Sequence, residues 1–338
     1  MADVLPPLEE RAGHSNRLTL QIAELAPDLE SFAVPFNFPR CEVVPLPDHQ
    51  AVFRVDGGER LRWHFGPQYP RPFFYPFVGP SGNPLTRMGH PGDPGHDHHR
   101  SIWFAHQKVL GISFWEDSSP ARIRQKNWLC YKDGAEEAVM AASLGWYDGH
   151  DPKELLDQEL VAALRPGPDG ETFIEIQTTF RPTAESLEFG RTNFGFLAVR
   201  VAKHLSAHFG GGTLTNSAGA TGEPAIFGKS ASWVDYSGQS QKGGSEGITY
   251  FDHPANPGHP AKWHVREDGW MGASVCFDGP VTTTKKVTLV LRYLLHAHKG
   301  PADARQAADV LKDFAGRKRF EVVKANVRHQ TWDVRRAG

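Results

Sequence analysis

The chain has 338 residues, is 39% hydrophobic and 11% aromatic, and sets 37 Lys+Arg against 39 Asp+Glu for a formal net charge of -2. With no long basic run, this balance argues against nucleic acid or an anionic membrane surface as partner and favours a small polar ligand. The 34 Gly and 26 Pro predict many turns and short strands, hence an all-β, mainly antiparallel fold.

Cys41, Cys130 and Cys276 are odd in number and far apart, which indicates neither a disulfide framework nor a thiolate zinc cluster. The opening MADVLPPLEERAGHS lacks the basic start and apolar core of a signal peptide. No later stretch has the length to span a bilayer. The expectation is a soluble, cytoplasmic protein without a membrane partner.

In chain order, AVFRV and LRWHF predict a hairpin across DGGER. A turn-rich stretch at 67–100 follows and ends in GHDHHR. If that end is extended, His96 and His98 share one face while Asp97 and His99 share the other, so the H-x-H pair can chelate a metal. A hydrogen-bonded loop is the plainer reading for any single histidine there. IWFAHQKVLGISFW then sets Trp103, Phe104, Phe114 and Trp115 around His106, and aromatic faces beside polar groups suit sugar rings. Core packing accounts for part of that set.

A second turn-rich stretch near 145–155 precedes LVAAL and ETFIEIQTTF, which GPDG joins as a hairpin. The strand GFLAVRVAKH carries Arg200 and His204. Residues 215–238 supply Asn216, Glu223, Lys229, Asp235 and Tyr236 in quick succession, with Trp233 and Asp235 on one strand face. A third loop stretch is predicted at 237–262. Within it, Pro254, Pro257 and Pro260 stiffen the chain around His253, Asn256 and His259. KWHVR, if extended, puts His264 and Arg266 on one face, and Arg266 suits a carboxylate or oxyanion.

KKVTLVLRYLLHAH predicts a late strand with Arg292, His296 and His298 on one face. PADARQAADVLKDFAG predicts a helix over 301–315, with Pro301 at its start and Gly316 after its end. The chain has no phosphate-binding G-x-x-x-x-G-K-[ST] loop, G-x-G-x-x-G turn, H-E-x-x-H helix or G-x-S-x-G elbow, so nucleotide, zincin and serine-hydrolase chemistry fall away.

Together GHDHHRSIWFAH, FGFLAVRVA, NSAGATGE, SASWVDYSG and DHPANPGHPAKWHVR resemble the PmoA-like family of bacterial proteins over most of residues 85–275. The methane-oxygenase label often attached to that family belongs to a membrane-embedded subunit. Members tend to sit in gene neighbourhoods with sugar-type oxidoreductases and isomerase-like barrels. The resemblance therefore implies carbohydrate catabolism.

Size, strand count and polar strand faces predict one β-sandwich domain over 1–338, large and galactose-mutarotase-like, with a peripheral helix near 301–315. The function expected is proton transfer on a sugar or keto-sugar: epimerisation, elimination or glycoside cleavage. His98 and His253 are assigned acid and base roles, with Glu223 or Asp235 as carboxylate partner. Arg100 and Arg266 are assigned oxyanion stabilisation, and Trp103, His106, Asn216, Lys229, Trp233, Tyr236, Asn256 and His296 line the substrate.

Two rivals stand beside this. A metal-dependent oxygenase or lyase would hold a divalent metal on His96, His98 and His259, although the Glu expected after a cupin-type H-x-H is missing from Ser101–Trp103. A non-catalytic sugar-binding module would need fewer titratable groups. No cofactor is otherwise indicated, and a homo-oligomer is compatible with the sequence. The loops carrying His98 and His253 are expected to converge on one site.

Overall fold

The computed structural model describes residues 38–338, of which Arg40–Gly338 form one compact unit. The first 37 residues, and with them the signal-peptide reading and the start of the expected 1–338 domain, lie outside the described residues. Two eight-stranded sheets make up the unit, and every strand pairing within them is antiparallel. The expected all-β sandwich is what the chain forms.

The first sheet runs β1 (Cys41–Leu46), β2 (Gln50–Val55), β3 (Gly58–His64), β4 (Phe73–Phe77), β5 (Ile102–Ala105), β11 (Phe196–Arg200), β16 (Trp270–Ala273), β15 (Trp263–Arg266). The second runs β12 (Thr213–Asn216), β13 (Trp233–Gln239), β14 (Ser245–Asp252), β18 (Leu289–Lys299), β9 (Thr172–Pro182), β8 (Leu156–Pro166), β7 (Ala138–Tyr147), β6 (Arg122–Lys132). Both predicted hairpins form. β2 and β3 turn through Asp56 and Gly57, both at positive φ (51° and 77°), as a two-residue hairpin turn demands.

Alternation builds the core. Leu160, Ile174, Ile176 and Tyr293 of the second sheet meet Leu61, Phe74, Phe104 and Trp263 of the first in one apolar cluster. Tyr250 crosses the layers, its ring 4.9 Å from Trp263 and its hydroxyl donating to the Leu197 carbonyl at 3.2 Å.

The outer face of the second sheet is covered twice. A hairpin of β19 (Phe320–Lys324) and β20 (Trp332–Arg336) lays Phe320 and Val334 on Val139, Ala141, Val161 and Ala163. A 13-residue helix, Ala304–Gly316, presses Ala307, Val310, Leu311 and Phe314 on Phe173, Trp233, Phe251 and Leu294. Two single-turn helices, Ala207–Gly210 and Glu223–Ile226, are the other α-segments described. A two-stranded ribbon pairs β10 (Ser186–Phe189) with β17 (Val281–Thr284).

Three sequence expectations shift. The 67–100 stretch contains β4, and 237–262 contains all of β14, whose apolar run Ile248–Phe251 is buried between neighbours. The helix starts after Asp303, not at Pro301: the Asp303 carboxylate accepts from the amides of Arg305 and Gln306 at 2.8 and 3.0 Å. Asp303→Ala should therefore lower the urea midpoint with an unchanged m-value.

Candidate active site on the outer face of the first sheet

The site grows out of strand alternation. In β5, Ile102 and Phe104 enter the core while Trp103 and Ala105 face outward; in β11 the outward pair is Ala198 and Arg200. β16 contributes Trp270, and β15 contributes His264, whose ring stacks on Trp270 at 4.5 Å. Trp115, from the connection after β5, stacks on Trp270 and lies 5.4 Å from Trp103, roofing the small residue Ala198. Trp103, Trp115 and Trp270 are all buried.

Above this aromatic floor runs the histidine-rich loop. It is not extended. Pro94–His96 forms a 3-10 turn started by Asp93, which accepts from the Gly95 amide at 2.9 Å and binds His96 Nδ1 at 2.5 Å. The turn breaks the expected opposition of faces and gathers the rings instead: His96 lies 6.0 Å from His98, 5.0 Å from His99 and 5.6 Å from His90, and His98 sits edge-on to His99 at 4.3 Å. His99 is buried against Trp103 and Trp270; His98 is half-buried.

Arg200 organises the base of the site. Its Nη2 donates to His99 Nδ1 at 2.7 Å, and a guanidinium has no acceptor, so Nδ1 carries the lone pair and the neutral ring bears its proton on Nε2. Burial, then the charge of Arg200, pushes His99 far below the usual histidine range, so it stays neutral. Asp268 takes Arg200 Nη1 at 2.5 Å and His90 Nε2 at 2.9 Å. Burial would raise the Asp268 carboxyl, but Arg200 and His90 outweigh it and hold it low.

On the other flank Asp117 accepts from both amino groups of Arg100 and, at 3.0 Å, from both of Arg71. The two guanidinium groups more than offset burial and hold Asp117 ionised. Arg71 also donates to the carbonyls of Phe114 (3.0 Å) and Trp115 (2.5 Å), fixing the segment that carries the roofing tryptophan. Burial and Arg71 lower His98, which is neutral at pH 7. His264 donates from Nδ1 to the Asn193 carbonyl at 3.1 Å, and burial with Arg266 nearby pushes it down to about 4.

Of the sequence-assigned residues, the fold brings His96, His98, Arg100 and Trp103 together here. Arg266 and Glu223, paired at 2.6 Å, sit at the edge of the same sheet where Arg266 covers the Phe227 ring. The rest lie elsewhere. His253 belongs to the second sheet's outer face: its Nε2 meets Arg292 Nη1 at 2.8 Å, its ring abuts Phe314, and Arg292 pairs with Glu175. The expected convergence of the His98 and His253 loops is thus corrected, because alternation and helix packing commit His253 to the opposite layer.

Asn256 and His259 both serve Asp252, at 2.7 and 2.8 Å, and close their own loop. The trio His96, His98 and His259 therefore does not assemble. Among the described residues, no group of three or more His, Cys, Asp or Glu is placed to hold a metal ion. Asp235 is buried on the second sheet with His298 at 2.8 Å, and the neighbouring His296 pairs with Glu171 at 2.9 Å while stacking on Phe173. Trp233 packs beneath the long helix. His106 stacks on Phe196 inside the core, and Tyr236 is also interior, its hydroxyl donating to the Arg266 carbonyl. Asn216 caps a turn through the amides of Ala218 and Ala220, and Lys229 is exposed.

From the sequence, His99, Trp115, Arg200 and His264 are named without a catalytic or metal role, and His90, Arg71, Asp117, Asp268 and Trp270 are left out. His90 lies five residues before the GHDHHR run; the two aspartates and Arg71 carry no spacing signal.

A family model, that of a family of unknown function (DUF6807), matches residues 50–312. This match corrects the motif-based resemblance to the PmoA-like family. Consistent with the correction, no helix among the described residues is long and apolar enough to cross a membrane. No curated protein matches the chain. Among solved structures, a candidate mutarotase (YeaD) from Salmonella typhimurium is 12% identical with a TM-score of 0.32, covering 80% of this chain and 99% of its own. A candidate kojibiose phosphorylase from the human microbiome is 7% identical with a TM-score of 0.28, covering 83% of this chain and 37% of its own. At those values neither likeness bears on chemistry.

Burial lowers His106, His253 and His264 to about 4 each. Because the unfolded chain binds protons more readily at these rings, their contribution is present above pH 6.5 and is lost as pH falls towards 4. His298 has the opposite sign: Asp235 outweighs burial and raises it, so its contribution is full below pH 6.5 and declines as pH rises through the folded value. Urea unfolding should show a steep stability loss from pH 6.5 to 4, and Asp235→Asn should remove the alkaline decline.

Proposed function

We propose that this chain, which belongs to the family of unknown function DUF6807, is an enzyme that moves a proton on a sugar or keto-sugar at the outer face of the first sheet. The observation that carries the reading is the edge-on pair of neutral imidazoles His98 and His99 at 4.3 Å, flanked by two arginine-clamped aspartates. His98 is half-buried, neutral at pH 7 and reachable, so it can accept a proton from carbon or oxygen and return it.

His99 cannot accept a proton on Nδ1, which Arg200 occupies. Its Nε2–H has no hydrogen-bond partner among the described residues, and it supplies a neutral donor to an oxygen on which charge develops. Arg100 lies beside His98 through their shared neighbour Asp117 and adds positive potential there.

Epimerisation or elimination fits these residues better than glycoside cleavage. Cleavage needs a protonated carboxyl as acid, whereas Asp117 and Asp268 are both held ionised by arginines. Abstraction of a proton next to a carbonyl needs one base and one oxyanion donor, which His98 and His99 provide.

Sugars and keto-sugars incubated in deuterated buffer should exchange a carbon-bound proton. His98→Ala should lower kcat by about 10²–10⁴-fold, whereas His259→Ala, on the other loop, should leave it within about twofold. Because His98 must be neutral to act as base, kcat/KM should fall on an acid limb below pH 6.5. Undiminished exchange in His98→Ala would overturn the assignment.

A further inference from the structure

The hydrogen-bond inventory of this face is lopsided. Among the described residues, four buried N–H groups here have no acceptor: Trp103 Nε1, Trp270 Nε1, Arg200 Nε and Arg87 Nε. They belong to one neighbourhood. The two indoles lie 6.5 Å apart with His99 against both, Arg200 pairs across the strands with Trp270, and Arg87 joins Arg200 at the Asp268 carbonyl. His99 Nε2–H adds a fifth donor without a partner among the described residues. Among the described residues, the one orphaned buried acceptor nearby is Glu116 Oε2.

Charge runs the same way. Arg71, Arg87, Arg100 and Arg200 face Asp117, Asp268 and Glu116, while His90, His98 and His99 are held below their usual range and neutral. The loop's own Asp93 sits at the rim and is engaged by His96, and Asp97 is exposed. Burying several donors and an excess guanidinium charge without acceptors is costly, and a carboxylate, with two oxygens and about four lone-pair positions, answers both deficits.

We propose that the occupant of this face is a sugar acid, whose carboxylate is met by the unpartnered N–H groups of Arg200, Arg87 and the two indoles. This rests on the proton-transfer reading only for the sugar part of the ligand. Trp115 covers the indoles from a connecting segment and not from a strand, so its displacement gives access without breaking a sheet.

The test is calorimetric titration of the purified chain with gluconate and glucuronate, with glucose as the neutral parent and glucose 6-phosphate as the alternative anion. At least one sugar acid should bind tenfold or more tightly than glucose, with affinity falling as salt rises. Trp270→Phe and Trp103→Phe keep an aromatic ring but delete the donor; each should reduce sugar-acid affinity about tenfold, with melting temperature reporting that the fold is retained. Equal affinity for acid and neutral sugar, tighter binding of the phosphate, or affinity unmoved in both tryptophan variants would each overturn the proposal. Sugar-acid binding with no proton exchange on any sugar would uphold this inference and remove the proton-transfer reading. Turnover confined to neutral sugars would do the reverse.

Discussion

The contact on which this face depends is the hydrogen bond from Arg200 to His99. Arg200 is almost wholly buried on a strand, so its charge has to be answered locally; Asp268 does so on one side and the His99 lone pair on the other. That single donation settles which nitrogen of His99 holds the proton. It also orients the ring between Trp103 and Trp270 and thereby places His98 above it. A lysine at position 200 would lack the fork that reaches both partners.

The two sheets use their outer faces differently, and the difference explains where a ligand can go. The second sheet's outer face is rich in paired ions, such as Arg292 with Glu175 and His298 with Asp235, yet the long helix and the C-terminal hairpin lie across it. Those pairs have mutual partners and act as polar joints under the cover. On the first sheet, neither helix nor hairpin among the described residues plays that part, and loops bring arginines, histidines and a tryptophan to its outer face. Among the described residues, Arg292 Nε is an unpartnered buried donor under the second sheet's cover, whereas on the first sheet Trp103 Nε1, Trp270 Nε1, Arg200 Nε and Arg87 Nε are unpartnered together.

The Trp115 connection links these features. Arg71 holds its backbone carbonyls while also neutralising Asp117, so the roof over the aromatic floor and the ionisation of the flanking carboxylate share one guanidinium. A ligand that competes for Asp117 or its arginines therefore acts on the roof as well.

Much of this was legible in the sequence. Period-two alternation marked several of the strands and placed Arg200, His264 and Arg266 on strand faces; the density of histidine in GHDHHR marked the loop of the candidate site. Tertiary structure alone decided which layer each face joins. His253 and Asp235 read as good site residues because their types are right, but residue type carries no information about whether a helix more than fifty residues downstream will cover them. Asp117, Asp268 and Arg71 went unassigned for the complementary reason: a carboxylate becomes a site group through the guanidinium that folding brings beside it, and those partners are separated by tens of residues in the chain. Local periodicity fixes direction along a strand, whereas pairing across layers depends on the whole topology.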